Sequence, residues 1–225
     1  LKKNSLISLY TILILIFIQG FVGWYMVKSG LTERTDVSHY RLSLHLTLGF
    51  IILILLFWNY LESKTYIKKD NIKYRKIPIF LPIFFLFCIV VQISFGALVS
   101  GLDAGKIYQT WPLMDDNYFP NDSNLNELFK LSLFDNPSLV QFVHRNLSYL
   151  IFGIFLIISL LIFNSNKFAY LRKKTLYVFL SLFLQIFLGI LTITSGANII
   201  LASLHQFGSI VLVSTTLVLL YANYK

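Results

Sequence analysis

Six runs of about 20 apolar residues, at 6–27, 42–61, 78–99, 139–163, 174–194 and 199–222, dominate the chain. Each is long enough to cross a ~30 Å hydrocarbon core as a helix rising 1.5 Å per residue. Lipid offers no partners to backbone N–H and C=O groups, so segments of this length must satisfy them internally, as a helix does. The pattern predicts an all-α polytopic membrane protein with six transmembrane helices. Charged residues make up 13% of the chain, against roughly a quarter in soluble domains, which excludes water as its solvent.

The net charge of +9 does not point to nucleic acid, because the basic residues sit in short connections between apolar spans. With the N-terminus on the cytoplasmic or matrix side, that side holds Lys2, Lys3, Lys64, Lys68, Lys69, Lys73, Arg75, Lys76, Lys167, Arg172, Lys173, Lys174 and Lys225. These are most of the 19 basic residues, and the bias predicts both termini inside. Glu33, Asp36, Asp103, Asp115, Asp116, Asp122, Glu127 and Asp135 fall outside. The lone cysteine, Cys88, lies within the third span and excludes a disulfide framework. No signal-like cleavage site follows Leu1, so no removed targeting segment is expected. The connection over 102–138 is the one long loop; its Trp111, Tyr108, Tyr118 and Phe119 suit an interfacial belt, and it is expected to fold over the external mouth.

The chain repeats itself. Gln19, Phe21, Gly23, Ser29 and Gly30 of the first span align without a gap on Gln185, Phe187, Gly189, Ser195 and Gly196 of the fifth. Ser43-Leu44-His45 then aligns on Ser203-Leu204-His205, while the third span carries Gln92 and Gly96 and the fourth carries His144. Every odd span thus has a Gln and a Gly one turn apart, and every even span a histidine. A glycine one turn from an amide lets two helices approach closely while the amide finds a partner across the interface. The order suggests a four-helix unit used twice: 78–225 forms one complete unit with the external loop 102–138, and 1–77 forms half of another plus a cytoplasmic loop. Two further helices are expected before Leu1, which would make Leu1 an internal residue of a longer protein.

His39 falls at the water boundary and reads as structural or incidental. His45, His144 and His205 lie within spans, where an ionisable residue points to function. Each stands about one and a half turns from the external end of its helix, roughly 7–10 Å deep at 1.5 Å per residue. Zinc would prefer three or four clustered ligands, often with Cys or carboxylate, and a proton path would place acids among the histidines. Heme iron needs only one or two axial imidazoles from facing helices inside an aromatic-rich cavity, and 16% of this chain is aromatic. Arg145 and Arg41, near His144 and His45, could meet propionates or snorkel to lipid headgroups.

The segment Gly96-Ala97-Leu98-Val99-Ser100-Gly101-Leu102-Asp103-Ala104-Gly105, followed by Tyr108-Gln109-Thr110-Trp111-Pro112-Leu113-Met114, resembles the signature of the heme A synthase family of mitochondrial and proteobacterial type. Gln19-Gly20, Gly23 to Leu31, Tyr40-Arg41-Leu42, His45-Leu46, Gln141 to Arg145 and Leu204-His205-Gln206 extend the likeness over nearly the whole chain. The resemblance implies eight helices in two pseudo-symmetric four-helix bundles, these six being the third to eighth. It implies that His144 and His205 bind a permanent heme b. His45 then stands at the site of the substrate heme O as a catalytic, iron-ligating residue, its partner histidine and a nearby glutamate lying on an absent helix. The implied reaction is stepwise oxidation of a heme O methyl group to the formyl group of heme A for terminal oxidase biogenesis, in a bacterial or mitochondrial inner membrane. The lipid bilayer, heme O synthase and a second copy of the chain are the expected surroundings. Two other classes fit paired histidines equally well: a bis-histidine cytochrome b that only carries electrons, and an assembly factor that binds and delivers heme without oxidising it.

Overall fold

The computed structural model describes residues 3–30, 37–65 and 75–225. Six helices account for the apolar runs: α1 (Lys3–Gly30), α2 (His39–Thr65), α3 (Phe80–Gly101), α4 (Pro137–Phe163), α5 (Ala169–Thr194) and α6 (Ile199–Tyr224). All are long and apolar enough to cross a membrane. Most extend past the predicted runs, because polar residues such as His39, Arg41 and Lys64 continue the helix at the ends without costing a backbone hydrogen bond. There is no strand among the described residues, only an isolated bridge between Met114 and Asn117. Lys2, Glu33, Asp36, Lys68, Lys69 and Lys73, on which part of the charge argument rests, lie outside the described residues.

Helices α3 to α6 form a closed ring in which α3 packs on α4, α4 on α5, α5 on α6 and α6 back on α3. The diagonal pairs α3/α5 and α4/α6 make at most marginal contact, as opposite corners of a four-helix bundle do. Helix α2 lies along the α3–α6 edge, and α1 packs on α2. Hydroxyls tie α2 to α3: Ser43 donates to the Ser94 carbonyl at 2.9 Å, and Thr47 and Ser94 share a bond of 2.8 Å. Asn59 reaches from α2 to Ser8 of α1 at 2.7 Å. Such bonds hold helices together where lipid removes any hydrophobic preference for protein over solvent. Phe17, Phe21, Phe183 and Phe207 point outward, as membrane-facing side chains should.

The buried apolar core occupies one end of the ring. It is built from Phe85, Cys88 and Ile89 of α3, Phe155, Ile158 and Ile162 of α4, Leu171, Val178 and Leu182 of α5, and Val213, Leu217 and Leu220 of α6. Asn223 closes this end by accepting from the Ile77 N–H at 2.9 Å and donating to the Ile77 carbonyl at 3.1 Å, and Lys76 bonds the Tyr224 carbonyl. Toward the other end the packing thins on α5 and α6, while α3 and α4 keep buried residues such as Leu98, Leu139 and Gln141. On α5 beyond Leu182, and on α6 before Gly208, no residue is fully buried.

Candidate functional site

The thinly packed end of the ring is where the histidines stand. His45, His144 and His205 each sit six or seven residues past the first residue of α2, α4 and α6. Two of these starts are fixed by asparagine caps: Asn136 accepts from Ser138 and Leu139, and Asn198 from Ile200 and Leu201. Capping sets where the helix begins and hence the depth of the imidazole.

Each histidine lies against the preceding helix in the same way. The Gln19 amide donates to the His45 carbonyl at 3.0 Å, Gln92 to the His144 carbonyl at 2.9 Å, and Gln185 to the His205 carbonyl at 2.9 Å. The same amide nitrogens stand 3.3, 3.4 and 3.5 Å from the three Nε2 atoms. One turn on, glycine makes room for the ring. A β-carbon at Gly23 would stand 2.9 Å from His45 Cε1, one at Gly96 3.1 Å from His144 Cε1, and one at Gly189 3.0 Å from His205 Cε1. The four-residue spacing puts amide and gap on one helix face, so one helix contact fixes the histidine backbone and sets the Cε1 edge of its ring against bare backbone. The amide partner expected for these glutamines is therefore the histidine of the next helix.

His144 and His205 belong to α4 and α6, opposite corners of the ring, and the two imidazoles are near enough to interact. The structure brings this pair to one interior. His45 stands apart on α2, against α1, in the same local arrangement. His39 is structural, its Nε2 meeting Asp135 at 3.2 Å and tying the start of α2 to the loop.

Arg145 does not snorkel to the lipid headgroups. It is 6% exposed, and its guanidinium donates to three loop carbonyls: Nη2 to Tyr108 at 2.9 Å, and Nη1 to Thr110 at 2.9 Å and Leu113 at 3.1 Å. Gln141, one turn earlier, donates to the same Tyr108 carbonyl at 2.9 Å. The reason is geometric: the loop folds back over α4, and a planar fork of donors suits converging carbonyls. Arg41 instead stacks on Tyr25 at 4.5 Å.

The loop does cover this end of the ring. Its 3₁₀ turn at Ala104–Lys106 touches α3, α4 and α5, and Gln109 packs at Gly196 in the α5–α6 turn, where φ of +71° favours glycine. Asp122 accepts from Ser138 at 2.6 Å. Burial acts to raise the Asp122 pKa, but the bonds from Ser138, Ser123 and Tyr108 outweigh it and hold the carboxyl below the ordinary range. Burial, then the nearby Asp122 charge, raises the Tyr108 phenol. Sequence reasoning missed the roles of Gln141, Asp122 and Ser138; the crowding of turn formers and aromatics in the loop was their only signal.

Comparison with known proteins gives this arrangement a lineage. The chain is 46% identical over 214 residues to a protein of Pelagibacter ubique named heme A synthase, covering 95% of this chain and 62% of that protein. It is 37% identical over 217 residues to a heme A synthase of Rickettsia rickettsii, covering 95% and 63%, and 40% identical over 223 residues to one of Rickettsia bellii, covering 96% and 64%. The chain thus spans less than two thirds of the length of the curated relatives it matches. The family model described as cytochrome oxidase assembly protein matches residues 1–217, a stretch that holds all three Gln–Gly–His contacts and the loop clamped by Arg145. The chain belongs to the cytochrome oxidase assembly protein family.

Proposed function

We propose that the protein is a heme A synthase, oxidising a methyl group of heme O to the formyl group of heme A in an inner membrane. The observation that carries this reading is the pair His144 and His205 on opposite corners of the ring, each imidazole seated against a glycine of the preceding helix. The residues fit a heme. The Nδ1 atoms of His45 and His144 are buried with no partner, the ring of each histidine rests on a glycine that has no side chain to displace it, and among the described residues the one acid in a spanning helix, Glu62, stands near the end of α2 away from His45.

His144 and His205 would hold heme b in the ring, and His45 would hold the substrate heme O beside α1 and α2. This division follows the repeat, with 78–225 as one four-helix half and 1–77 as part of the other. Heme supplies the redox chemistry when bound, and the protein supplies ligation, orientation and exclusion of water. Gln92 and Gln185 fix the backbone of each histidine and so set the depth at which the imidazoles would hold a heme. His205 Nδ1 also meets the Gln185 carbonyl at 3.1 Å, the kind of outer partner that orients a ligating imidazole. Arg145 and Gln141 keep the loop seated over the site, which limits access of water from outside.

The names of the relatives favour this reading over an electron carrier or a heme-delivery factor. Heme types extracted from heme O-producing cells that carry the full protein test it. Heme A is the expected product; accumulation of heme O alone, with heme b bound to the protein, would support the electron carrier instead.

A further inference from the structure

On the external loop, Leu125, Phe129 and Leu131 are 64%, 90% and 86% exposed, and Lys130 stands exposed between the last two. These residues belong to two short 3₁₀ turns, Leu125–Phe129 and Leu131–Asp135. The same stretch faces inward elsewhere: Leu133 is buried, Glu127 accepts from Asn124 and Asn136, and Asp135 meets His39. The segment is therefore two-sided, with Leu133 and Glu127 turned to the protein and Leu125, Phe129 and Leu131 turned away.

Its height decides what it meets. Phe134 packs on Phe95 of α3, ring centroids 5.9 Å apart. Phe95 lies six residues below the end of α3, roughly 9 Å down the helix at 1.5 Å per residue. The second turn thus hangs beside the spanning helices rather than standing above them. Leu131 is three residues from Phe134, about 6 Å at the 3₁₀ rise. The bond from Asp135 to His39, the first residue of α2, holds the segment at the level where two spans begin or end.

We propose that 125–131 is an in-plane anchor lying in the outer headgroup region of the bilayer, with Leu125, Phe129 and Leu131 inserted toward the acyl chains and Lys130 among the lipid phosphates. The partner is the lipid surface itself. An aromatic and two leucines around a lysine match that boundary, apolar below and anionic above. The anchor would pin the loop that Arg145 holds over the histidine end of the ring. The inference rests on the membrane spans and not on the heme reading.

Site-directed spin labelling of the full protein in phosphatidylcholine–phosphatidylglycerol vesicles tests it. Phe129→Cys is labelled with Cys88 replaced by alanine, and Asn121→Cys, an exposed position in the same loop, serves as the aqueous reference. If Cys88→Ala fails to fold, the label is read with the buried Cys88 in place and the parent signal subtracted. At position 129, collisions with oxygen should exceed those with a water-soluble nickel chelate, and at position 121 the order should reverse. A water-like response at both positions overturns the proposal, as does a label at 129 shielded from both reagents, which would mean that protein covers the segment.

Discussion

Gly189→Ala adds one carbon to the contact that seats His205, and the structure sets the size of the effect. The new β-carbon would stand 3.0 Å from His205 Cε1, so the ring or helix α6 must give by a few tenths of an ångström. Overpacking of this kind costs ~1–3 kcal/mol. Where the ring relieves the clash by leaving its seat, up to this whole cost falls on ligation, and at about 1.4 kcal/mol per decade heme affinity should fall by as much as about 150-fold. Alanine also favours the helix over glycine by up to ~1 kcal/mol, but that gain acts on folding and not on the ligand. Gly153→Ala isolates it, since a β-carbon there meets nothing within 4 Å. The assay is the transfer of heme from purified full protein to apomyoglobin, with helix content checked by circular dichroism. Faster loss of heme from Gly189→Ala, and wild-type retention in Gly153→Ala, are expected. Equal retention in both, with an unchanged low-spin spectrum, would refute the reasoning that bare backbone seats the imidazole.

Three further outcomes follow from the site. His45→Ala in the full protein should keep heme b bound while heme A no longer forms from heme O, and heme A at the normal rate would make His45 a packing residue. Arg145→Lys cannot reproduce a fork to three carbonyls; at ~1.5–3 kcal/mol per charged hydrogen bond it should raise amide exchange across 108–113 at least tenfold, and unchanged protection would remove Arg145 as the clamp. The Asp122 pKa is lowered in the fold, so its bonds stabilise the loop above the unfolded carboxyl value and are lost as pH falls through the folded one. Exchange across the loop should therefore rise only in acid below the ordinary carboxylate range, and Asp122→Asn should abolish that step.

The helices and the histidines were legible in the sequence for different physical reasons. A spanning helix needs an uninterrupted apolar run, so its presence shows in composition alone, whereas its ends blur because His39 or Lys64 can continue it. The Gln–Gly–His contact was half legible. Its four-residue spacing is a helix-face pattern that survives in sequence, and its repetition at 19, 92 and 185 marked it out. The partner of each glutamine was not legible, because it is a backbone carbonyl, and carbonyls are the same at every position. The loop clamp of Arg145 was hidden on that account. Its neighbour His144 suggested a propionate, and nothing in the residues Tyr108, Thr110 and Leu113 announces that their carbonyls converge on it. The division of the ring into a packed end and a thin end was likewise hidden, since apolar residues run the whole length of α5 and α6 and only packing separates them.

Near-infrared magnetic circular dichroism of the purified full protein reads axial ligation directly. One low-spin heme with two imidazole ligands in the α3–α6 ring is expected with His144 and His205 intact, and its bis-imidazole band should vanish in both His144→Ala and His205→Ala. Survival of that band in both single variants would contradict ligation across the ring.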